Sequence, residues 1–229
     1  MNQNSSIPGS LGQSLLSFLN RPAASDVAAP WLLVLMHGVG SNEQDLFGLA
    51  EFVPPQFHVV SLRGPFALGP ASHAWFEFSV ARDGTRTIDR AQEAHSREKI
   101  IQTVQAMAAQ LAVPASRVVL GGFSQGGIMA LSLLRTHPDL LQAALVMHSR
   151  LLPEVDALAA PAEALRGKQL WVSHGLQDGV IPLASAQAIR ARAATLPLAL
   201  TYREFPGAHE IRPAELQAAM VWLDGLTTA

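Results

Sequence analysis

The chain has 229 residues, of which 49% are hydrophobic and 15% charged, and its formal net charge is −2. This composition excludes a disordered or fibrous class, allows the core of one domain, and gives no electrostatic reason to expect binding to nucleic acid. Since the sequence contains no cysteine, a thiol nucleophile, a disulfide framework and thiolate metal sites are excluded as well.

Residues 1 to 30 are rich in Ser, Gly, Pro and Ala, and we interpret them as an N-terminal arm or peripheral element. No run approaches the ~18 uncharged apolar residues that a membrane helix needs, and no basic residue precedes the short apolar stretch near the N-terminus. We therefore expect no membrane insertion, no secretory signal and a cytoplasmic location. Residues 31 to 229 are predicted to form a single domain.

From Trp31 onward, short and largely apolar runs alternate with segments of helical periodicity. Apolar runs without polar alternation are typical of strands buried on both faces of a sheet. They predict strands at 31–36, 57–62, 117–123, 143–149, 169–175 and 198–205, and helices at 90–112, 126–137, 185–196 and 213–226. The alternation predicts an α/β fold with a mostly parallel, twisted sheet and helices on both faces. Functional groups in such sheets collect at the carboxyl ends of the strands.

A serine stands on the turn after the third of these strands. Gly122, Ser124 and Gly126 fit the pattern G-x-S-x-G, in which a strand turns at once into a helix and holds the serine hydroxyl at the sheet edge. Glycines are needed on both sides because side chains there would collide across the turn. The alternative is a glycine-rich turn whose serine merely caps the helix.

A serine nucleophile requires a neighbouring base, normally a histidine oriented by a carboxylate. Asp178 follows the fifth predicted strand and His209 follows the sixth, so serine, acid and base come in the order expected when the serine lies on a turn of this kind. Taken singly, Asp178 could be a turn residue and His209 a surface residue. His174, Asp178 and His209 could also converge on a metal, but no paired ligand spacing supports this, and we expect no metal.

Acyl transfer also requires two backbone N–H donors for the oxyanion. One is expected from Gln125, the residue after the serine, and the other from the loop after the first predicted strand. In that loop, His37-Gly38-Val39-Gly40 is compact enough to direct the N–H of Val39 inward, although an ordinary glycine turn would have the same sequence.

Several segments together resemble the phospholipase/carboxylesterase family, the acyl-protein-thioesterase-like branch of the α/β-hydrolases. They are LMHGVGSNEQDLFGLA (35–50), LRGP (62–65), AWFEF (74–78), GFSQGGIMAL (122–131), HGLQDGVIP (174–182) and GAHEI (207–211). The resemblance implies an α/β-hydrolase fold without a large cap, no cofactor, and a small-molecule ester or thioester substrate. It assigns Ser124, Asp178 and His209 to a catalytic triad, and Val39 and Gln125 to the oxyanion hole. A homodimer is common among similar proteins.

The chain departs from the family pattern near the expected acyl groove. In MHSRLLP (147–153), Arg150 stands where relatives carry an aromatic residue, and His148 replaces a small serine. FEF also follows Ala74-Trp75 where F-D is more usual. Trp75 and Arg150 are therefore candidate substrate-binding residues, and the changes are compatible with a short or acidic acyl group. The alternative for Arg150 is a solvated surface side chain.

These features predict a serine hydrolase that cleaves carboxylic esters or thioesters through an acyl-enzyme. Two alternatives remain open from the sequence. The chain could be a binding protein that keeps the hydrolase fold without catalysis, or it could transfer the acyl group to an acceptor other than water or cleave peptides.

Overall fold

A computed structural model of the protein describes residues 15–83 and 86–228. The strands are β1 Phe18–Arg21, β2 Trp31–Met36, β3 Phe57–Leu62, β4 Phe66–Gly69, β5 Ser72–Ala74, β6 Phe78–Val80, β7 Arg86–Ile88, β8 Val118–Phe123, β9 Ala143–Met147, β10 Gln169–Gly175 and β11 Ala199–Phe205. The helices are α1 Glu43–Phe47, α2 Arg90–Gln110, α3 Gln125–Thr136, α4 Leu183–Ala193 and α5 Pro213–Thr227. Among the described helices, none has the length and apolar character needed to cross a bilayer.

Seven of the described strands form one sheet in the order β1-β3-β2-β8-β9-β10-β11. All neighbours are parallel except β1, which pairs antiparallel with β3 at the edge. The predicted mostly parallel sheet is therefore confirmed. The edge strand comes from the segment that we interpreted as an arm, whose residues 1–14 lie outside the described part of the chain. Two small hairpins, β4–β5 and β6–β7, lie beside the sheet, and no large cap is evident among the described residues.

The central strands are buried on both faces, as their uniform apolarity predicted. In β2, Leu32, Val34 and Met36 belong to one core cluster, whereas Leu33 and Leu35 belong to the other. Helices α2, α3 and α4 cover the first face, and α1 and α5 cover the second. Since side chains alternate along a strand, this two-sided burial requires apolar residues at every position.

The predicted strand 143–149 ends two residues early, at Met147, because the next residue, His148, has a φ of 51° and cannot continue an extended backbone. Helix α4 begins earlier than predicted, directly after Pro182, which has the extended backbone of a helix N-cap. These shifts leave the order of elements unchanged.

The chain leaves β2 and β8 in opposite directions across the sheet. From β2 it passes to α1 and then to β3 on one side, and from β8 it passes to α3 and then to β9 on the other. Adjacent parallel strands whose connections diverge in this way leave a crevice at their carboxyl ends, where α/β proteins place their ligands.

The first turn of α3 lies against the ends of β2 and β8. This close contact is possible because the residues at the contact are glycines, which have no Cβ. A Cβ added to Gly126 would be 1.8 Å from the carbonyl oxygen of Met36, and one added to Gly122 would be 2.3 Å from the carbonyl carbon of Gly126. These contacts involve backbone atoms, which cannot move aside as a side chain can. The spacing of the two glycines thus reflects direct backbone packing across the turn.

We expect Gly126→Ala to lower the free energy of unfolding by roughly 3 kcal/mol, at the upper end of overpacking effects, or to prevent soluble expression. Gly225→Ala is the matched control, because its Cβ would meet nothing within 4 Å and the position lies inside α5. There the substitution should stabilise the protein by about 0.5–1 kcal/mol. Urea denaturation measures both effects, and equal midpoints for Gly126→Ala and the native protein would contradict the proposed packing.

Candidate active site

Ser124 occupies the sharp turn between β8 and α3. Its backbone angles are φ 53° and ψ −118°, a conformation that non-glycine residues rarely adopt and that clusters at functional sites. The N–H of Ser124 donates to the carbonyl oxygen of Met147 at 2.9 Å, and the hydroxyl of Ser149 donates to the carbonyl oxygen of Ser124 at 2.8 Å. The turn is therefore held from both sides, with the Ser124 side chain above the start of α3.

The structure brings together the three side chains that the sequence selected as nucleophile, acid and base. His209 Nε2 lies 2.9 Å from Ser124 Oγ, and His209 Nδ1 lies 2.7 Å from Asp178 Oδ2. Ser124 and Asp178 are 6% and 7% exposed, whereas the side chain of His209 is 16% exposed. The imidazole thus bridges a hydroxyl and a buried carboxylate at the sheet edge.

The loops that carry Asp178 and His209 are bonded to each other. The backbone N–H of Gln177 donates to Gly207 O at 2.9 Å, and the N–H of Gly207 donates to the Gln177 side chain at 2.8 Å. Gly175 makes this approach possible, because a Cβ there would lie 2.2 Å from the carbonyl oxygen of Ala208. These bonds hold the loops of Asp178 and His209 together and so fix the distance between the two side chains.

Asp178 is ionised over the whole neutral range. Burial acts to raise its pKa, but hydrogen bonds from His209, His148 and the backbone N–H groups of Ile181 and Val180 outweigh burial and lower the pKa to about 2. The two backbone donors lie 2.8 and 2.9 Å from Oδ1. Oδ2 remains free to accept from the imidazoles.

The loop after β2 is fixed through a neutral histidine. His37 Nδ1 is 2.7 Å from the carbonyl oxygen of Gly38, so this nitrogen carries the hydrogen, and His37 Nε2 accepts from the N–H of Gly64 at 3.0 Å. Burial lowers the pKa of His37, which agrees with the neutral form. Trp75 Nε1 donates to the His37 carbonyl oxygen at 2.9 Å. These hydrogen bonds fix the backbone conformation of the loop that leads to Val39.

Val39 and Gln125, the predicted oxyanion donors, belong to two segments that adjoin Ser124. A Cβ added to Gly38 would be 3.4 Å from Ser124 Cβ, so the loop that carries Val39 passes beside the serine. Gln125 is the first residue of α3, and an N–H in that position has no acceptor within its own helix. The Gln125 side chain accepts from Trp75 N at 2.8 Å and donates to Phe76 O at 2.7 Å.

The two candidate substrate-binding residues have different surroundings. Trp75 is 0% exposed and its indole supports the loop after β2, so its side chain has no surface from which to contact a substrate. Arg150 is partly buried rather than fully solvated. Its Nη1 donates to the carbonyl oxygen of Leu151 at 3.0 Å, and burial lowers its pKa.

Two buried residues near the site were missed by the sequence reasoning. His148 and Glu215 are 0% and 1% exposed, and His148 links Asp178 to Glu215 through its two ring nitrogens. His148 was noted in the sequence as a departure from the family pattern, but it precedes Asp178, and the required order of serine, acid and histidine directed attention to His209. Glu215 carried a weaker signal, as one acidic residue in the first turn of an apolar helix.

His148, His174 and Asp178 are a group whose ligand atoms lie within 4.8 Å of one another. Their hydrogen bonds do not suit a metal ion. Both nitrogens of His148 face carboxylates, His174 Nε2 must donate to the carbonyl oxygen of Ile181 at 2.7 Å, and Asp178 Oδ2 already receives two imidazoles. The three side chains therefore form a hydrogen-bonded group whose polar atoms are directed at protein partners.

A groove of about 310 Å³ opens beside His209. Apolar side chains line most of it, and two carboxylates complete the lining. The apolar residues are Leu46, Leu49, Phe123 and Ile211, and the acids are Asp45 and Glu210. A groove of this composition suits an uncharged organic group.

A serine on the turn after a central parallel strand, with an acid and a histidine after two later strands, defines the α/β-hydrolase class. Solved structures agree on the fold: a Bacillus cereus carboxylesterase superposes with a TM-score of 0.78 at 22% identity, over 93% of this chain and 95% of that one. Esterase PE8 gives a TM-score of 0.77 at 24% identity, over 93% of this chain and all of that one.

The sequence matches the phospholipase/carboxylesterase family over residues 23–226, and the chain belongs to that family. Esterase YpfH of Escherichia coli is 32% identical over 167 residues, which are 71% of this chain and 68% of YpfH. The putative hydrolase MhqD of Bacillus subtilis is 24% identical, over 83% of this chain and 91% of that protein. The resemblance inferred from the sequence segments is thus confirmed, and the protein is a hydrolase of the carboxylesterase type.

We expect Asp178→Asn to be less stable than the native protein by about 2 kcal/mol near neutral pH, because the folded state favours the carboxylate. The folded pKa is depressed to about 2. The contribution of Asp178 is therefore complete above its unfolded pKa of ~3.9 and disappears as the pH falls through the folded value. Urea denaturation at several pH values between ~6 and ~3 tests this. A deficit that does not shrink at the acidic end would contradict it.

Proposed function

We propose that the protein cleaves carboxylic esters or thioesters of small molecules, with Ser124, His209 and Asp178 as its catalytic triad. The observation that carries the proposal is the continuous hydrogen-bonded path from Ser124 Oγ through the imidazole to Asp178 Oδ2, with distances of 2.9 and 2.7 Å. Nucleophile and base within hydrogen-bond reach, with the base oriented by a third group, are the features required for an activated serine.

The reaction proceeds in two halves. Ser124 Oγ attacks the substrate carbonyl carbon while His209 Nε2 takes the hydroxyl proton, and Asp178 stabilises the resulting imidazolium. His209 then gives this proton to the departing alcohol or thiol, which leaves an acyl group on Ser124. Water, deprotonated by His209, attacks the acyl carbonyl, and the carboxylic acid departs as Ser124 regains its proton.

The backbone N–H groups of Val39 and Gln125 would hold the oxyanion in both halves. Support comes from the position of Gln125 at the start of α3 and from the loop of Val39 beside Ser124. Each such donor contributes on the order of 10²-fold or more to kcat. The buried bonds of His37 and Trp75 fix the Val39 loop before substrate arrives, so little reorganisation is needed during the reaction.

The groove beside His209 suggests the kind of substrate. Its apolar lining would accept an uncharged acyl or alcohol group, and the carboxylate of Asp45 would repel an anionic one. Glu210 adds less repulsion, because Arg212 Nε lies 3.3 Å from its Oε1. Of the short and the acidic acyl groups compatible with the sequence, the lining of the groove therefore favours a short, neutral one.

Ser124→Ala should lower kcat on p-nitrophenyl butyrate by about 10⁴-fold or more, because the remaining groups cannot form an acyl-enzyme. A fluorophosphonate probe should label the native protein and leave Ser124→Ala unlabelled. Ser185→Ala, a serine at the start of α4 that is outside the site, is the matched control and should retain full activity.

Three outcomes would change the assignment. Activity that survives in Ser124→Ala would mean that another residue is the nucleophile. A native protein that is neither labelled nor active would support a binding protein on this fold. Efficient transfer of the acyl group to an added alcohol or amine, or cleavage of a peptide panel, would replace hydrolysis of small esters as the main activity.

The two carboxylates of the groove give a second test of the substrate class. We expect kcat/KM for p-nitrophenyl butyrate to exceed that for the singly charged p-nitrophenyl hemisuccinate by roughly 10-fold, an effect of about 1.4 kcal/mol. The double variant Asp45→Asn/Glu210→Gln should reduce this preference, measured as the ratio of kcat/KM for the two esters assayed in parallel. A preference that is unchanged in the double variant would show that this groove does not hold the acyl group.

A further inference from the structure

An imidazole lies in a strained position directly after β9. His148 has a φ of 51°, in the left-handed region that few non-glycine residues adopt, and its N–H donates to the carbonyl oxygen of Ser173 at 2.9 Å. The residue is fully buried. A backbone held in this state persists because its surroundings fix it, and such outliers concentrate at functional sites.

Both nitrogens of the His148 ring face carboxylates. Nδ1 lies 3.0 Å from Asp178 Oδ2, the same oxygen that His209 contacts, and Nε2 lies 3.1 Å from Glu215 Oε2. Glu215 is in the first turn of α5 and is 1% exposed. The ring thus joins the acid of the proposed triad to a second buried acid that the proposed reaction does not use.

The two contacts require one more proton than a neutral imidazole carries. An ionised carboxylate only accepts hydrogen bonds, and a neutral imidazole has a single N–H. Both contacts are therefore hydrogen bonds only if His148 is an imidazolium or Glu215 is a carboxylic acid. Either way, one proton is retained between His148 and Glu215.

The surroundings favour the imidazolium. Burial alone acts to lower the pKa of His148, but the hydrogen bond and charge of Glu215, followed by those of Asp178, raise it above its ordinary value. The start of α5 also favours a negative charge on Glu215.

Three other rings pack against His148 among the described residues, those of His174, His209 and Phe123. His174 stacks on it at 5.2 Å, donates from Nε2 to Ile181, and has a pKa lowered by burial, so it is neutral. His209 lies edge-on at 5.6 Å and Phe123 at 5.4 Å.

We propose that His148 and Glu215 are positioning residues, which hold one shared proton beneath Asp178 and so keep a second N–H donor on the carboxylate oxygen that orients His209. This inference rests on the proposed triad and deepens it. Neither residue touches the reacting atoms. Asp178, imidazolium His148 and Glu215 together carry one net negative charge, so His209 still meets a negative partner when it gains a proton.

The two hydrogen bonds of the ring require the shared proton, and its loss should be visible as the pH is raised. Because the folded pKa of His148 lies above its ordinary value, the ring keeps this proton to a higher pH than a free histidine and loses it as the pH rises through the folded value. The neutral ring then has one N–H for two carboxylates. At the other contact, the lone pair of the ring nitrogen faces a carboxylate oxygen, and the two repel each other. We expect kcat to fall in this range, because the neutral ring donates to only one of the two carboxylates at a time and Asp178 no longer has its second donor in every molecule.

Glu215→Gln tests this consequence. The glutamine amide donates to His148 Nε2 at every pH and leaves Nδ1–H for Asp178, so the alkaline fall in kcat should disappear. We expect kcat at neutral pH to drop by less than about tenfold and KM to change little. The matched control is Glu163→Gln, whose side chain is 70% exposed and which should retain the alkaline fall. Circular dichroism at each pH verifies that the protein remains folded.

Removal of the imidazole is the second arm. His148→Ala should lower kcat by about 10- to 100-fold with little change in KM, because the Asp178 carboxylate loses a donor that orients it. If the isolated Glu215 carboxylate prevents this variant from folding, His148→Ala/Glu215→Gln removes that buried charge and should show the same loss in kcat.

The proposal is overturned if Glu215→Gln keeps the native alkaline profile, or if the double variant has native kcat. Its failure differs from failure of the proposed function. If only the role of His148 and Glu215 is wrong, Ser124→Ala still abolishes activity and fluorophosphonate labelling, whereas an incorrect triad leaves both in place.

Discussion

The contact between the first turn of α3 and the ends of β2 and β8 is the constraint on which the site depends. It exists because Gly126 lets the helix backbone approach the carbonyl oxygen of Met36 closer than any Cβ would allow. This approach forces Ser124 into its left-handed conformation and raises its side chain above the helix start. The diverging connections on either side of the contact create the crevice into which the loops after β2, β10 and β11 extend.

Around this turn, the polar residues form a connected set rather than independent hydrogen bonds. Asp178 uses one oxygen to fix its own loop through two backbone N–H groups and the other to meet two histidines. A buried carboxylate with this many donors remains charged because its hydrogen bonds more than offset the cost of desolvation. The negative charge of Asp178 is thus shared between two oxygens that both accept hydrogen bonds, and Oδ2 is stabilised by His148 and His209.

Most of the fold could be predicted from the sequence, since two-sided burial leaves an uninterrupted apolar run in each central strand. Ser124 and Asp178 could be selected because each follows an apolar strand, and His209 because it follows the next strand along the chain, the mixed edge strand β11. Residues whose importance comes from burial could not be found in this way. His148 extends an apolar strand in the sequence, and only the structure places Glu215 against it. Trp75 suggested a substrate contact, but the fold turns its indole toward the backbone of His37.

The site connects parts of the chain that are far apart in sequence, from His37 in the loop after β2 to Glu215 in α5. Contacts over such separations form late, because a long loop must close before they are made. Ser124 therefore leaves the ribosome well before His209 and Glu215 are available to it. Until the segment that carries His209 has been synthesised and β11 has joined the sheet, the hydroxyl of Ser124 lacks the imidazole contact of the folded protein.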